Sequence, residues 1–129
     1  RMNARVNFPT NQPKKILLTS KDCNKELNFF KDDDVLIYKN NDLAQIIKSF
    51  KDQDFCSILI EAGPKLANSF LELGLVDEII SYTSNNELGD KAVSWFKENN
   101  AIENYGFKLE SSYKIGGDVK ETFIKNEKK

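Results

Sequence analysis

Residues 57–74 constrain the fold more than any other part of this sequence. Residues 57–60 are a short apolar run that predicts a buried strand. Gly63 and Pro64 follow, then apolar residues at helical spacing until the pattern stops at Gly74. Proline suits a first helical turn because its missing N–H is not needed there, and glycine suits a left-handed helix end. The segment therefore predicts a strand, a tight turn and a helix in direct succession.

Other short apolar runs predict further strands that alternate with helical patterns. The predicted strands lie at residues 16–19, 35–38 and 79–83. Behind a capping position at residues 41–42, an amphipathic helix is predicted by Leu43, Ile46, Ile47 and Phe50. A short helix is predicted by Ala92, Val93, Trp95 and Phe96. Residues 21–34 are polar apart from Phe29-Phe30 and predict an irregular connection.

The end of the chain predicts an antiparallel hairpin. Residues 107–113 and 119–123 alternate in polarity and are joined across Gly116-Gly117-Asp118. Strands that alternate with helices favour a parallel sheet, whereas strands that follow one another directly pair antiparallel. The predicted fold is α/β: a mostly parallel sheet flanked by helices, with a C-terminal antiparallel hairpin.

Composition narrows the classes of function. The 129 residues fit one domain, and 19 basic against 20 acidic side chains give a net charge of -1, which argues against nucleic acid as a partner. No apolar run approaches the roughly 20 residues of a membrane span, so a cytoplasmic protein is expected. The sequence has no histidine, which excludes histidine general bases and histidine-bound metals from this chain. Cys23 and Cys56 lack partners at metal spacing and predict free, buried thiols without zinc.

The turn at Gly63 is the strongest candidate for chemistry. A helix that begins at the carboxyl end of a parallel strand presents unpaired N–H groups and a positive dipole end to a phosphate. Glu61 is expected at the mouth of the predicted strand, where ligands bind in such sheets. Gly-Pro is also common at helix starts that have only a structural role, and Glu61 could simply face solvent. Spacing alone leaves both interpretations open.

A longer motif resembles a known family. Glu61-Ala62-Gly63-Pro64-x-Leu66-Ala67, continuing to Tyr82, is similar to the reductase half of the bifunctional deaminase/reductase of riboflavin biosynthesis. Residues 1–5 resemble the family's Arg-Leu-Thr-Val-Arg segment, and residues 115–119 resemble its closing hairpin. The resemblance extends over essentially the whole chain and implies a dihydrofolate-reductase-like fold.

The resemblance also implies a reaction and a set of contacts. NADPH would reduce the opened ribose of 5-amino-6-(5-phosphoribosylamino)uracil to give the ribitylamino product. The residues that would contact the cofactor are Gly63, Pro64, Lys65, Leu66, Ala67, Asn68, Ser69 and Ser20. Those that would contact the substrate are Met2, Arg5 and Glu61, the arginine being suited to its phosphate. No catalytic side chain or metal is assigned, and the residues that would choose NADPH over NADH are not identified.

Several expectations accompany this assignment. Thr19 stands where the family usually has aspartate, and residues 84–87 replace its Ala-Pro-Lys-Leu, so the wall near that loop is expected to differ. The family's deaminase half and about a third of its reductase half have no counterpart here. The chain is therefore predicted to be a single, N-terminally truncated reductase domain at residues 1–129 that forms a homodimer and is inactive alone. A related pyrimidine or pterin reductase, and a non-catalytic dimerisation fragment, remain as alternatives.

Overall fold

The computed structural model describes residues 7–30, 35–39, 42–95 and 102–126. It divides the chain into two compact units, Arg1–Cys56 and Ser57–Lys129. Unit 1 is built on a pair of parallel strands, and unit 2 on an antiparallel sheet. No helix within the described ranges combines the length and apolar character that crossing a membrane requires.

The strands of unit 1 confirm the sequence prediction. β1 (Lys15–Leu18) pairs in parallel with β2 (Val35–Tyr38). Beyond the strands, the Thr19 N–H donates to the Tyr38 carbonyl at 3.1 Å, so the pairing extends to the carboxyl end. The described part of the connection contains only a short 3-10 helix, Asn28–Phe30, and is otherwise irregular as predicted.

The helix of unit 1 has a side-chain cap and an apolar inner face. α1 (Leu43–Lys51) begins at Asp42, whose carboxylate accepts the Gln45 N–H at 3.0 Å. Its buried residues are Leu43, Ile46 and Phe50, which confirms the predicted amphipathic pattern. The Phe50 ring meets Tyr38 and Phe55 edge-on at 5.4 and 5.5 Å between centroids. Aromatic contacts therefore join α1 to β2 and to the segment that follows the helix.

The sheet of unit 2 contains the predicted hairpin. β3 (Glu78–Thr83), β4 (Phe107–Ile115) and β5 (Asp118–Lys125) pair antiparallel in the order β3-β5-β4. β4 and β5 are joined by Gly116-Gly117, and Gly116 has a φ of 61°, which a glycine adopts without strain. The strand predicted at residues 79–83 and the terminal hairpin are both confirmed.

The helix of unit 2 packs its inner face on this sheet. α2 (Pro64–Glu72) has proline in its first turn, and Gly74 follows it with a φ of 68°, as predicted. The Lys125 ammonium group donates to the Gly74 carbonyl at 2.6 Å, which ties the end of β5 to the end of the helix. The core of the unit is a cluster of Leu71, Ile79, Phe107 and Phe123. Burying such side chains contributes about 1.5–3 kcal/mol each.

A bulge in β4 interrupts the predicted alternation. The pairing with β5 shifts between Leu109 and Ser111, so Glu110 has no opposite residue. Before the shift, Phe107 lies on the core face of the sheet. After it, Tyr113 pairs with Lys120, which also opposes Tyr82 on β3. The two halves of β4 therefore direct their odd-numbered residues to opposite faces.

Three local predictions are wrong. Residues 57–60 form no strand, and Leu59 is 74% exposed, because an apolar run becomes a strand only when a neighbour pairs with it. Residues 92–95 form no helix, and Phe96 lies outside the described residues. Cys23 and Cys56 are free as predicted, but Cys23 is only half-buried and Cys56 is exposed.

Candidate functional site

The start of α2 has a glycine that its backbone does not require. Gly63 caps the helix with φ −65° and ψ 164°, an extended conformation open to any residue. A Cβ atom built on Gly63 would meet nothing within 4 Å. Neither backbone strain nor crowding by the described residues therefore explains why this position lacks a side chain. The open space lies where a ligand would approach the backbone.

At the same helix start, some backbone N–H groups have no hydrogen-bond acceptor among the described residues. The N–H groups of Leu66 and Ala67 both donate to the Gly63 carbonyl at 3.1 Å. Within the described residues, the N–H groups of Gly63 and Lys65 have no acceptor, and no side chain caps the helix. Two free donors and the positive end of a nine-residue helix together favour an anion.

The three polar side chains predicted around this turn have different environments. Lys65 is exposed, and its ammonium group has no hydrogen bond or ion pair among the described residues. The Ser69 hydroxyl donates back to the Lys65 carbonyl at 3.0 Å. Asn68 is only 3% exposed, and its Nδ2 donates to the carbonyls of Pro64 and Trp95. Lys65 is thus the side chain of the three that is available to an anion.

Asn68 differs from what the sequence suggests. A polar residue on the first turns of a helix is expected to face water or a ligand, but Asn68 lies on the same inner stripe as Leu71, three positions later. Its bonds to Pro64 and Trp95 link α2 to a segment 27 residues further along the chain. No sequence pattern predicts that link, because it depends on where an irregular loop passes.

The remaining predicted site residues are placed as follows. Glu61 is exposed and lies two residues before Gly63 in irregular structure, not at the end of a strand. In unit 1, Ser20 is exposed at the carboxyl end of β1, next to a turn in which the Thr19 hydroxyl accepts the Lys21 N–H at 3.1 Å. Met2 and Arg5 lie outside the described residues. The structure therefore brings Glu61 and the residues from Gly63 to Ser69 together in unit 2.

The chemistry that this arrangement offers is binding and orientation. It has backbone donors, one free ammonium group and an exposed carboxylate, and these can hold an anionic ligand with a polar neighbour. Among the described residues, no group of three or more His, Cys, Asp or Glu side chains could hold a metal ion.

Comparison with protein families gives a match along nearly the whole chain. A family model described as the RibD C-terminal domain matches residues 1–120. The Buchnera aphidicola riboflavin biosynthesis protein RibD is 37% identical over 89 residues, which is 64% of this chain and 23% of that protein. The Escherichia coli protein of the same name is 43% identical over 51 residues, or 40% and 14% of the two chains.

Solved structures agree with this match at the level of the fold. Acinetobacter baumannii RibD, form 1 and form 2, align with TM-scores of 0.76 and 0.82, each at 23% identity. The form 2 alignment covers 96% of this chain and 42% of that one. The likeness confirms the predicted α/β, dihydrofolate-reductase-like fold. The chain spans less than half the length of these relatives.

Proposed function

Because the chain belongs to the RibD C-terminal domain family, we propose that it is a reductase module that binds NADPH at the start of α2. Its substrate in this proposal is 5-amino-6-(5-phosphoribosylamino)uracil, an intermediate of riboflavin biosynthesis, which is reduced to the ribitylamino product. The protein contributes binding, orientation and exclusion of water. The cofactor, when bound, supplies the hydride.

The observation that carries this proposal is the vacant position at Gly63. A Cβ atom there would meet no described atom within 4 Å, and the backbone is open to any residue, so a capping serine or aspartate is compatible with the fold. A diphosphate over the turn explains the glycine, because only a residue without a side chain lets the ligand reach the N–H groups. The free Lys65 ammonium group supports the same ligand.

The other contacts keep the roles that the family resemblance implies. In this proposal Pro64, Leu66 and Ala67 form the backbone of the cofactor turn, and Ser20 contacts the same cofactor. Glu61 holds a polar group of the substrate, while Met2 and Arg5 contact the substrate, with Arg5 on its phosphate. NADPH is proposed over NADH because of the family resemblance. Analysis of the product would distinguish the proposed substrate from another pyrimidine or a pterin.

A homodimer belongs to the same proposal. Four large apolar side chains of unit 2 are exposed on one face of the sheet: Ile80, Tyr82, Tyr113 and Ile115, at 45–66%. Apolar patches of this kind often mark association surfaces. A mass in solution measured by light scattering tests the homodimer separately from any activity.

The cofactor assignment is tested by Gly63→Val with Gly63→Ala as its matched control. Both variants keep an allowed backbone at this position, so both are expected to fold. The valine side chain fills the space of the diphosphate, and we expect at least about a tenfold loss of NADPH affinity, with alanine intermediate. Affinity is measured in the intact protein by titration, and folding by circular dichroism. Unchanged affinity in a folded Gly63→Val protein would overturn the assignment.

A further inference from the structure

The buried amide of Asn68 carries an inference beyond the cofactor turn itself. Its Nδ2 donates to the Pro64 carbonyl at 2.7 Å and to the Trp95 carbonyl at 3.0 Å. Both neighbours are acceptors, so the amide must present its NH₂ side to them. Its Oδ1 is buried and has no hydrogen-bond partner among the residues that the structure describes. One side chain thus joins the first turn of α2 to the end of the irregular 84–95 loop.

This arrangement is unfavourable as a device for stability alone. A buried acceptor without a partner loses its hydrogen bonds to water and gains none in return. Leucine branches at the same atom as asparagine, and its apolar side chain would suit the stripe of α2 that carries Leu71. The presence of asparagine at this position therefore points to a role that leucine could not perform. That role is to hold the loop through the side-chain N–H groups.

The loop has no regular secondary structure of its own. Residues 84–95 form no helix or strand, and Leu88 and Val93 are 86% and 78% exposed. The Trp95 carbonyl shares its donor with the Pro64 carbonyl, so this end of the loop lies beside the helix start that the proposed function assigns to the cofactor. A loop without regular structure is ordered by a few such contacts.

We propose that Asn68 is a positioning residue that holds the 84–95 loop as a preorganised rim of the nucleotide site at the start of α2. This inference rests on the proposed function for its ligand. The Asn68 side chain itself cannot bind a phosphate, because its two N–H groups are engaged and its free atom is an acceptor. Asn68 acts through the loop. If the loop were not already ordered, the conformational entropy lost in ordering it would weaken cofactor binding.

Asn68→Leu tests the proposal with two ligands of different size. NADPH is long enough to reach the rim, whereas inorganic pyrophosphate contacts only the helix start. In the intact protein we expect NADPH affinity to fall on the order of threefold to tenfold and pyrophosphate affinity to stay within about twofold. Ser49→Ala, which removes a hydroxyl bonded within α1 and lies outside the candidate site, is the control and should change neither affinity.

Trp95 gives a readout that needs no ligand, because it is the chain's single tryptophan. Release of the loop in Asn68→Leu should shift its emission to longer wavelength, while unfolding by urea should show equal or higher stability. Asn68→Asp, which replaces the donor by an oxygen facing the same two carbonyls, should give the same shift and serves if the leucine variant does not fold.

Three outcomes would overturn the proposal. These are an unshifted Trp95 emission in both variants, an unchanged NADPH affinity once the emission has shifted, and a parallel loss of NADPH and pyrophosphate affinity. The last would mean that Asn68 shapes the helix start and not the loop. If the unmodified protein binds neither ligand, the proposed function fails, and the Trp95 emission still decides whether Asn68 holds the loop.

Discussion

Helices α1 and α2 each have nine residues, yet they begin in different ways. At α1 the chain supplies its own acceptor, the Asp42 carboxylate, which takes the Gln45 N–H. At α2 the corresponding position is Gly63, and the N–H groups of Gly63 and Lys65 have no acceptor within the described residues. A helix start that lacks an internal acceptor gives up stability, and an external anion can recover it.

The largest effect on stability and NADPH affinity is expected when α2 is given a side-chain cap like that of α1. In Gly63→Asp the new carboxylate would accept an N–H of the first turn and place a negative charge where the diphosphate lies. We expect the free energy of unfolding to rise by a few tenths to about 1 kcal/mol. NADPH affinity should fall by more than tenfold, that is, by more than about 1.4 kcal/mol of binding free energy.

Two titrations on the intact protein measure these effects, one with urea and one with NADPH. Gly63→Asn is the control for charge, since it caps the helix without adding a carboxylate. If Gly63→Asp stabilised the fold and left cofactor affinity intact, the open start of α2 would be a structural accident and not a binding site.

Removing the cap of α1 should have a smaller effect, confined to stability. Asp42→Ala leaves the Gln45 N–H without its acceptor, and we expect a loss of about 1 kcal/mol in the free energy of unfolding. Hydrogen exchange of the α1 amides measures the loss locally, and Asp42→Asn, which keeps an acceptor oxygen, should largely restore it. NADPH affinity should not change, and a fall in affinity would contradict a purely structural role for this helix start.

The smallest effect on stability is expected at the C-terminal end of α2. At α2 the Lys125 ammonium group donates to the Gly74 carbonyl, a contact that opposes the negative end of the helix dipole. Lys125→Met keeps the aliphatic chain and removes the charge, so we expect a loss of about 0.3–1 kcal/mol in urea unfolding. Lys108→Met, on an exposed position of β4, is the control. Equal stability of the two variants would show that the Lys125 contact contributes nothing.

Sequence predicted the elements whose signals are local. The cap and apolar spacing of α1, the Gly63-Pro64 start and Gly74 end of α2, and the Gly116-Gly117 hairpin are each set by residues close together in the chain. Residues 57–60 were predicted wrongly because an apolar run identifies buried surface but not a pairing partner. Residues 92–95 were predicted wrongly because so short an apolar pattern does not form a helix without a surface to pack against. The shift in β4 at Glu110 was also missed, since residues 107–113 alternate without interruption.

For the candidate site, sequence predicted the turn at Gly63 as a binding segment but not the environment of its side chains. The resemblance identified Gly63 to Ser69 as one segment, and the structure presents Gly63 and Lys65 as open to a ligand. The sequence could not distinguish the exposed Lys65 from the buried Asn68. Their burial depends on which side of α2 faces the sheet and on the path of the 84–95 loop. The predicted roles of Ser20, Glu61, Met2, Arg5 and residues 63–69 stay predictions.

The bulge in β4 affects how relatives of this chain should be aligned. Because Glu110 stands opposite no residue of β5, a relative with one residue fewer at this point would lack the bulge and still form the hairpin. An alignment program guided by alternating polarity would have no reason to place its gap there. A gap placed a few positions away would match residues that lie on opposite faces of the sheet. Conservation scores computed for Tyr113 and Ile115 would then mix positions from the two faces of the sheet, so the gap should be fixed at Glu110 before they are compared.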